Sequence, residues 1–333
     1  MMADVWFVAV AVLFTGYLIL EGFDFGVGML LPVLGRRGRA DTDERRAAIM
    51  ATIGPVWDGN EVWLITAVGA MFAAFPAWYA GLFSGMYLPI LLVLLALIVR
   101  VCALEYRSKV DAPRWRARCD LVIEISSWTT AFGWGLVLAN LLRGVAVGAD
   151  GRVADRFGAL FGGYALLGGA TFVALFALHG ATFLALKTAD SVRADAVRLV
   201  RRLTLPVGAI VVAFVGWTQL EFGRAVTWPL AVGSVLAVGL AGIAARRGRD
   251  GWAFAATTVA VAGLAALMFT ALWPNVLPST LGGQYDLSVA DAASSPYTLR
   301  VLGWLAAIGA PVVVLYQGWT YYVFRRRISA GPR

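Results

Sequence analysis

The sequence predicts an all-α integral membrane protein with nine transmembrane helices. Of its 333 residues, 60% are hydrophobic and only 14% are charged, and the mean hydropathy is +0.76. This composition is far from that of a soluble domain. A helix needs about 20 apolar residues to cross roughly 30 Å of hydrocarbon. The chain has nine such runs between clusters of charge, at residues 5–34, 53–76, 79–104, 119–142, 158–186, 203–222, 226–245, 252–273 and 300–324.

Small residues and prolines add local detail to these spans. Gly22 and Gly26 form a small-xxx-small pattern in the first span, which lets another helix approach closely. The sixth and seventh spans are separated only by "EFGRAVTW". Pro206 and Pro229 lie near the starts of these two spans, where proline suits the first helical turn better than the interior.

The basic residues predict the orientation of the chain. Loops that face the cytoplasm accumulate Lys and Arg, and alternate connections hold most of the 28 basic residues. These connections are 36–46, 106–120, 187–202, 246–250 and 325–333. The opposite connections are poor in basic residues, and residues 274–297 contain none. We therefore expect the N-terminus outside and the C-terminus inside, and the net charge of +8 needs no nucleic acid to explain it.

The single histidine limits the cofactors that this chain can hold. His179 lies in "LHGATF" of the fifth span. A haem with two axial histidines, or a copper centre built on histidines, cannot be assembled around one imidazole. We therefore expect no redox metal on this chain alone, and we expect His179 to be a hydrogen-bonded residue between helices.

Acidic residues within the spans are the strongest functional signal. An ionisable group inside the bilayer costs roughly 3 kcal/mol on insertion scales, so each one is a candidate for a functional role. They cluster in the first four spans, in the half nearer the basic loops: Glu21, Asp24, Asp58, Glu61, Glu105 and Glu124.

The spacing of these acids suggests proton exchange. Glu21 and Asp24 are three residues apart, and so are Asp58 and Glu61, so each pair shares a helix face at about 5–6 Å. Two such carboxylates rarely both ionise at low dielectric. One member of each pair is expected to hold a proton, which suits a group that takes up and releases protons.

A structural role for the same acids is the alternative. They could pair with Arg100, Arg107 or backbone donors and serve only to hold helices together. Trp57 and Trp63 flank Asp58 and could belong to an interfacial aromatic belt. Because they bracket a carboxylate, we expect them to wall a narrow polar passage.

Three stretches resemble a known family. They are "ILEGFDFGVGMLLP" (19–32), "GPVWDGNEVWLITAVGAMFAAFPAWYA" (54–80) and "LEYRSK" (104–109), the last followed by "WR" at 115–116. In order and spacing they resemble subunit II of the cytochrome bd family of bacterial quinol oxidases. The segment "HGATFLALKT" and the number of spans agree with this resemblance.

The resemblance implies an architecture. Residues 1–333 would be a single polytopic membrane domain whose nine spans form two four-helix bundles and one additional helix. The first bundle, with the intramembrane acids, is expected at 1–145 and the second at 155–275. An outer loop would follow at 276–299, and the ninth helix at 300–324.

The resemblance also implies a function and a partner. The chain would be a haem-free subunit that supports a haem-bearing subunit I, which carries haems b and d and the quinol-binding loop. The pair would reduce O₂ to water in the bacterial cytoplasmic membrane, with electrons from quinol and protons from the cytoplasm. Lipid and small single-span subunits are further candidate partners.

Site residues follow from the resemblance and from the spacing together. In similar proteins the proton route is lined by the "WDGN" motif and by an acid before "YRSK". The chain has Glu105 and Glu61 where other members carry Asp and Gln. The expected path comprises Trp57, Asp58, Trp63, Glu105, Asp24, Glu21 and Glu61.

A proton- or cation-coupled transporter is the alternative function. It would also require carboxylates within the membrane. Many transporters are built from repeats, which should place charges symmetrically in the two halves of the chain. Because the acids are confined to the first half, the oxidase subunit is favoured.

Overall fold

A computed structural model describes residues 1–35, 42–148 and 157–329. The described residues form twelve α-helices, three short 3₁₀ helices (Phe157–Phe161, Ala225–Thr227 and Gly283–Tyr285) and one short hairpin. The helices are α1 (Met2–Gly35), α2 (Thr42–Ile53), α3 (Trp57–Ala74), α4 (Pro76–Gly85), α5 (Tyr87–Tyr106), α6 (Pro113–Arg143), α7 (Gly163–Lys187), α8 (Asp190–Glu221), α9 (Trp228–Arg246), α10 (Asp250–Leu272), α11 (Val289–Ala292) and α12 (Pro296–Val323). The hairpin pairs β1 (Asn275–Leu277) with β2 (Leu287–Ser288) in antiparallel orientation.

The number of spans agrees with the sequence if one bent pair is counted together. Among the described residues, eight helices are long and apolar enough to cross a membrane, and α3 with α4 would make a ninth. The chain bends by 119° between these two helices. The bend falls at Phe75, which leaves helical geometry (φ −138°, ψ 66°) immediately before Pro76, because a residue that precedes proline disfavours the helical region.

The third span differs from the prediction. It was expected to run unbroken over 79–104, but α4 ends at Gly85 and α5 begins at Tyr87. Pro89 supplies the physical reason. Its ring has no N–H and would clash with the carbonyl of Gly85 in a continuous helix.

Two other boundaries also move. Helix α8 begins at Asp190, so the basic segment before 203 is helical and Pro206 lies in the interior of the helix rather than its first turn. Pro229 is in the first turn of α9, as expected. Helix α12 begins at Pro296, so the last four residues of the predicted 276–299 loop are helical.

Helix α1 lies at the centre of the helix bundle, where it packs on α3, α6, α7 and α10. Its small-residue pattern acts as predicted: a Cβ on Gly26 would collide with the backbone of Phe176 and Gly180, and one on Gly22 would meet the Phe176 ring. Helices α6 and α7 also pack on each other, so the two halves of the chain share an interface. The predicted boundary between the bundles falls largely on 149–156, which lie outside the described residues.

Ion pairs gather the basic helix ends on one face. Asp195 of α8 pairs with Arg45 of α2, and Asp120 of α6 is bonded by Arg107 at 2.5 Å. Asp250 of α10 pairs with Arg327, which follows α12, at 2.9 Å. We call this end of the molecule the basic face. The β1–β2 hairpin lies at the opposite end, where Val145 pairs with the segment that follows β1.

Candidate functional site

The structure brings three of the predicted acids together around one arginine. Glu21 and Asp24 of α1 and Arg100 of α5 are all fully buried. Arg100 Nη1 donates to Glu21 Oε2 at 3.1 Å and lies 3.6 Å from Oε1 of Glu61 on α3. Arg100 therefore connects α1 with α3, and we call Glu21, Asp24, Glu61 and Arg100 the carboxylate cluster.

Asp24 is held by a neutral amide from the opening turn of α3. Asn60 Nδ2 donates to Asp24 Oδ2 at 2.7 Å. The carbonyl oxygen of Asn60 accepts from two side chains of α12, Tyr321 Oη at 2.7 Å and Gln317 Nε2 at 3.0 Å. This fixes the orientation of the amide, so that its N–H group points at Asp24.

Several donor and acceptor atoms of the cluster form no hydrogen bond with the described residues. Five of its buried atoms have no hydrogen-bond partner among the described residues: Glu21 Oε1, Asp24 Oδ1, Glu61 Oε1, Arg100 Nε and Arg100 Nη2. Buried polar groups in native proteins are nearly always bonded. The cluster therefore combines three carboxyl groups and one guanidinium in one buried network, which are groups that can exchange a proton.

A guanidinium suits this position better than an ammonium. Arg100 lies over the Phe25 ring, with Cζ at 4.8 Å from the centroid. A planar, weakly hydrated cation can stack on an aromatic ring while it bonds carboxylates. The burial of a charge is tolerated only when it is paired, and Glu21 supplies that partner.

Asp58 and the flanking tryptophans lie at the edge of the cluster. Asp58 is exposed in the first turn of α3 and makes no hydrogen bond or ion pair with the described residues. Glu61, one turn later, has a side chain 22% exposed, so it links the exposed acid to the buried ones. Trp57 is half-buried, and the Trp63 ring packs where a side chain on Gly16 of α1 would lie.

Glu105 is not part of the cluster. Its side chain is 53% exposed and pairs with Lys109 at 3.1 Å, one turn further along the chain. Residues three or four apart share a helix face, and the spacing of five from Arg100 turns Glu105 away from the buried acids. Glu124 is half-buried on α6.

Three members of the site were missed from the sequence. Asn60 stands inside the "WDGN" motif, between the two predicted acids, but no role was assigned to it. Gln317 and Tyr321 are four residues apart in a largely apolar span, a spacing that places both on one helix face. That polar pair was a usable signal that α12 meets a polar partner.

The prediction for His179 is confirmed. The residue is fully buried, with Nδ1 at 2.7 Å from Thr257 Oγ1 and Nε2 at 3.1 Å from the carbonyl oxygen of Ile19. Its ring stacks on Phe254 at an interplanar angle of 2°. Both ring nitrogens therefore take part in contacts among α1, α7 and α10.

Comparison with known proteins gives the family. The family model for "Cytochrome bd terminal oxidase subunit II" matches residues 2–324. The chain belongs to this family. Members of the cytochrome bd subunit II family are subunits of an oxidoreductase, so the predicted oxidase subunit is confirmed and the transporter is not favoured.

Individual relatives agree along the whole chain. Cytochrome bd ubiquinol oxidase subunit 2 of Bacillus subtilis (strain 168) is 40% identical over 98% of this chain and 96% of its own length. Cytochrome bd-I ubiquinol oxidase subunit 2 of Escherichia coli (strain K12) is 33% identical over 98% and 94%. A chain of the bd oxidase from Geobacillus thermodenitrificans superposes with a TM-score of 0.76 over 97% of this chain and 99% of its own. At 20% identity, that likeness shows the shared fold alone.

Proposed function

We propose that this chain is the haem-free subunit II of a bd-type quinol:oxygen oxidoreductase in the bacterial cytoplasmic membrane. It supports a haem-bearing subunit I, which holds haems b and d and uses quinol, and it supplies a path for protons from the cytoplasm. Lipid and small single-span subunits are further proposed partners. The match of the family model to almost the entire chain supports the assignment to the oxidase.

The chemistry of the one histidine supports the haem-free role. Haem iron in proteins is held most often by histidine, and both nitrogens of His179 are occupied by Thr257 and by the Ile19 carbonyl. We assign the haems to subunit I for this reason.

The basic face supports an inward C-terminus. The arginines that pair across helix ends, including Arg45, Arg107 and Arg327, lie at one end of the bundle. Cytoplasmic loops are rich in Lys and Arg, so the basic face is assigned to the cytoplasm. The carboxylate cluster is then in the cytoplasmic half, because Asn60 opens α3 and Tyr321 lies near the end of α12.

The observation that best supports the proton path is that the cluster holds three carboxyl groups but a single cation. One guanidinium faces Glu21 and Glu61, while among the described residues Asp24 is hydrogen-bonded by the neutral amide of Asn60. In a low-dielectric interior, charges without a partner are costly, so the three carboxylates share at least one proton. Arg100 stays charged throughout. The proton moves from the exposed Asp58 to Glu61 and then to the buried acids.

The exposed acids indicate where subunit I docks. Asp58 in the first turn of α3 and Glu105 in the last turn of α5 are both exposed in this chain alone. Among the described helices, α12 packs mainly on α1 and α3, and only 6% of the residues in its most apolar stretch are buried. We assign the face formed by α3, α5 and α12 to subunit I, which places Asp58 and Glu105 at the subunit boundary.

The test is Asp58→Asn in the two-subunit enzyme. The change keeps the shape and hydrogen bonding of the side chain but removes its ability to take up a proton. We expect oxygen consumption per haem to fall by at least about tenfold, as for the loss of one positioned proton-transfer group. Haem content and assembly should be retained.

Glu124→Gln is the matched control, because Glu124 is also an intramembrane acid but lies outside the cluster. It should leave turnover per haem close to that of the wild type. If Asp58→Asn also has wild-type turnover per haem across pH, or loses haem in step with activity, Asp58 has only a structural role.

A further inference from the structure

The turn between α9 and α10 presents arginines that form no ion pair with an acid of the described residues. Arg247 and Arg249 are exposed, and neither forms an ion pair with a described acid. Gly248 between them has φ +70°, a left-handed conformation that glycine adopts at little cost. The tight turn therefore projects two guanidinium groups from neighbouring positions at the basic face.

The only acid in this turn points away from them. Asp250 is buried and accepts from Arg193 at 2.7 Å and from Arg327 at 2.9 Å. Its charge is thus balanced by α8 and by the segment after α12. The outward side of the turn keeps its positive charge.

An apolar groove begins directly beneath these arginines. It has a volume of about 310 Å³ and lies between α9 and α10. The side chains that line it are mostly small or aliphatic: Ala237, Leu240, Ala244, Ala255, Ala256 and Val259. Trp252 stands beside Arg247 and Arg249 at the mouth and is 70% exposed. Tryptophan at such a position is typical of the headgroup level of a bilayer.

We propose that this groove binds an anionic phospholipid, with one acyl chain between α9 and α10 and the phosphate held by Arg247 and Arg249. Arginine binds phosphate oxygens through paired, charge-assisted hydrogen bonds. Basic pockets between membrane helices are known to bind anionic headgroups. A zwitterionic lipid fits less well, because Asp250 is turned inward and the groove offers no acid to an ammonium group.

The site is separate from the proposed proton path. Helices α9 and α10 contribute no residue to the carboxylate cluster, so either proposal can fail without the other. Oxygen consumption per haem can therefore serve as a folding check on variants of the groove.

The experiment is a lipid titration of the purified two-subunit complex, followed by native mass spectrometry, with phosphatidylglycerol and phosphatidylcholine in separate arms. The wild type should bind its first phosphatidylglycerol more tightly than phosphatidylcholine. The double variant Arg247→Gln/Arg249→Gln should weaken that phosphatidylglycerol site by at least about tenfold, since each arginine near an anionic headgroup contributes to binding. Affinity for phosphatidylcholine should change little.

Two further variants sharpen the result. Arg114→Gln/Arg118→Gln removes the same charge from exposed positions at the start of α6 and should leave the first phosphatidylglycerol site intact. Ala255→Phe fills the groove without a change in charge and should weaken binding of both lipids there. Equal affinity of the wild type for the two lipids, or an equal loss in the α6 control, would overturn the proposal.

Discussion

The chain buries two polar networks that share helix α1 and differ in how completely they are satisfied. Around His179, both ring nitrogens are bonded, and Thr257 and Thr182 complete the contacts at 2.7 to 2.9 Å. Around Arg100, two guanidinium nitrogens and an oxygen of Glu21 have no hydrogen-bond partner among the described residues. The first network joins α1 to α7 and α10, whereas the second joins α1 to α3 and α5.

We propose that this difference separates a structural role from a functional one. A fully satisfied buried network stabilises one arrangement of helices, while a partly satisfied one costs stability. The carboxylate cluster has buried atoms without a hydrogen-bond partner among the described residues and lies next to an exposed acid, Asp58, which is the proposed point of proton entry. The network around His179 has no such access. Substitutions should therefore affect turnover in one network and stability alone in the other.

The largest effect is expected for Arg100→Gln. Loss of the guanidinium leaves Glu21 and Glu61 without their shared cation, and loss of one partner from a buried pair costs about 3–5 kcal/mol. We expect oxygen consumption per haem to fall by at least about a hundredfold and the yield of assembled complex to drop. The double variant Arg100→Gln/Glu21→Gln removes both charges, so it should recover assembly but not turnover.

Arg107→Gln is the matched control for Arg100→Gln. Arg107 is also buried and bonds Asp120 at 2.5 Å, but this pair lies at the basic face, outside the cluster. It should reduce yield and leave turnover per haem nearly unchanged. If Arg100→Gln behaves in the same way, the acids only hold helices together.

A smaller effect is expected for Tyr321→Phe. The change removes one of two donors to the Asn60 carbonyl and leaves Gln317 in place. A single hydrogen bond contributes about 0.5–1.5 kcal/mol, so turnover per haem should fall only about two- to threefold. Tyr321→Phe/Gln317→Leu leaves the Asn60 carbonyl without a donor and should cost more than the sum of the two single changes.

Tyr322→Phe provides the comparison for that series. Tyr322 is exposed, and its ring lies under Arg325, so loss of its hydroxyl should not alter turnover. Wild-type turnover in both the single and the double variants of Tyr321 and Gln317 would show that the Asn60 amide needs no support from α12.

The sequence predicted the spans and the acids well, because both depend on local composition. A carboxylate in an apolar run stands out from its neighbours, and the helical period already pairs Glu21 with Asp24. The partners across helices were harder to predict. Arg100 was recognised only as one possible counter-ion, and Asn60 and Tyr321 were not assigned. Which helices meet depends on packing such as the close contact of Gly26 with Gly180, and spacing along one chain does not specify it.

The break in the third span shows the same limit. Pro89 is visible in the sequence, yet proline in the first turn of a helix is tolerated. Whether Pro89 interrupts the span or opens a helix that simply starts later depends on which elements α4 packs against. It packs on β1 and α11 at the face opposite the arginines, and that contact arises more than 180 residues later in the chain.

The smallest effect on turnover is expected for His179→Leu, and it tests the comparison most directly. The change leaves Thr257 and the Ile19 carbonyl without their imidazole partner, and such a loss destabilises the folded state by about 1–3 kcal/mol. Thermal inactivation of the complex should therefore occur several degrees below that of the wild type. His179→Gln can keep one of the two hydrogen bonds and should lie between Leu and the wild type. Turnover per haem should stay at the wild-type level in both. A fall in turnover per haem comparable with that of Arg100→Gln would mean that the satisfied network also takes part in the reaction, and that the state of hydrogen bonding does not distinguish the two networks.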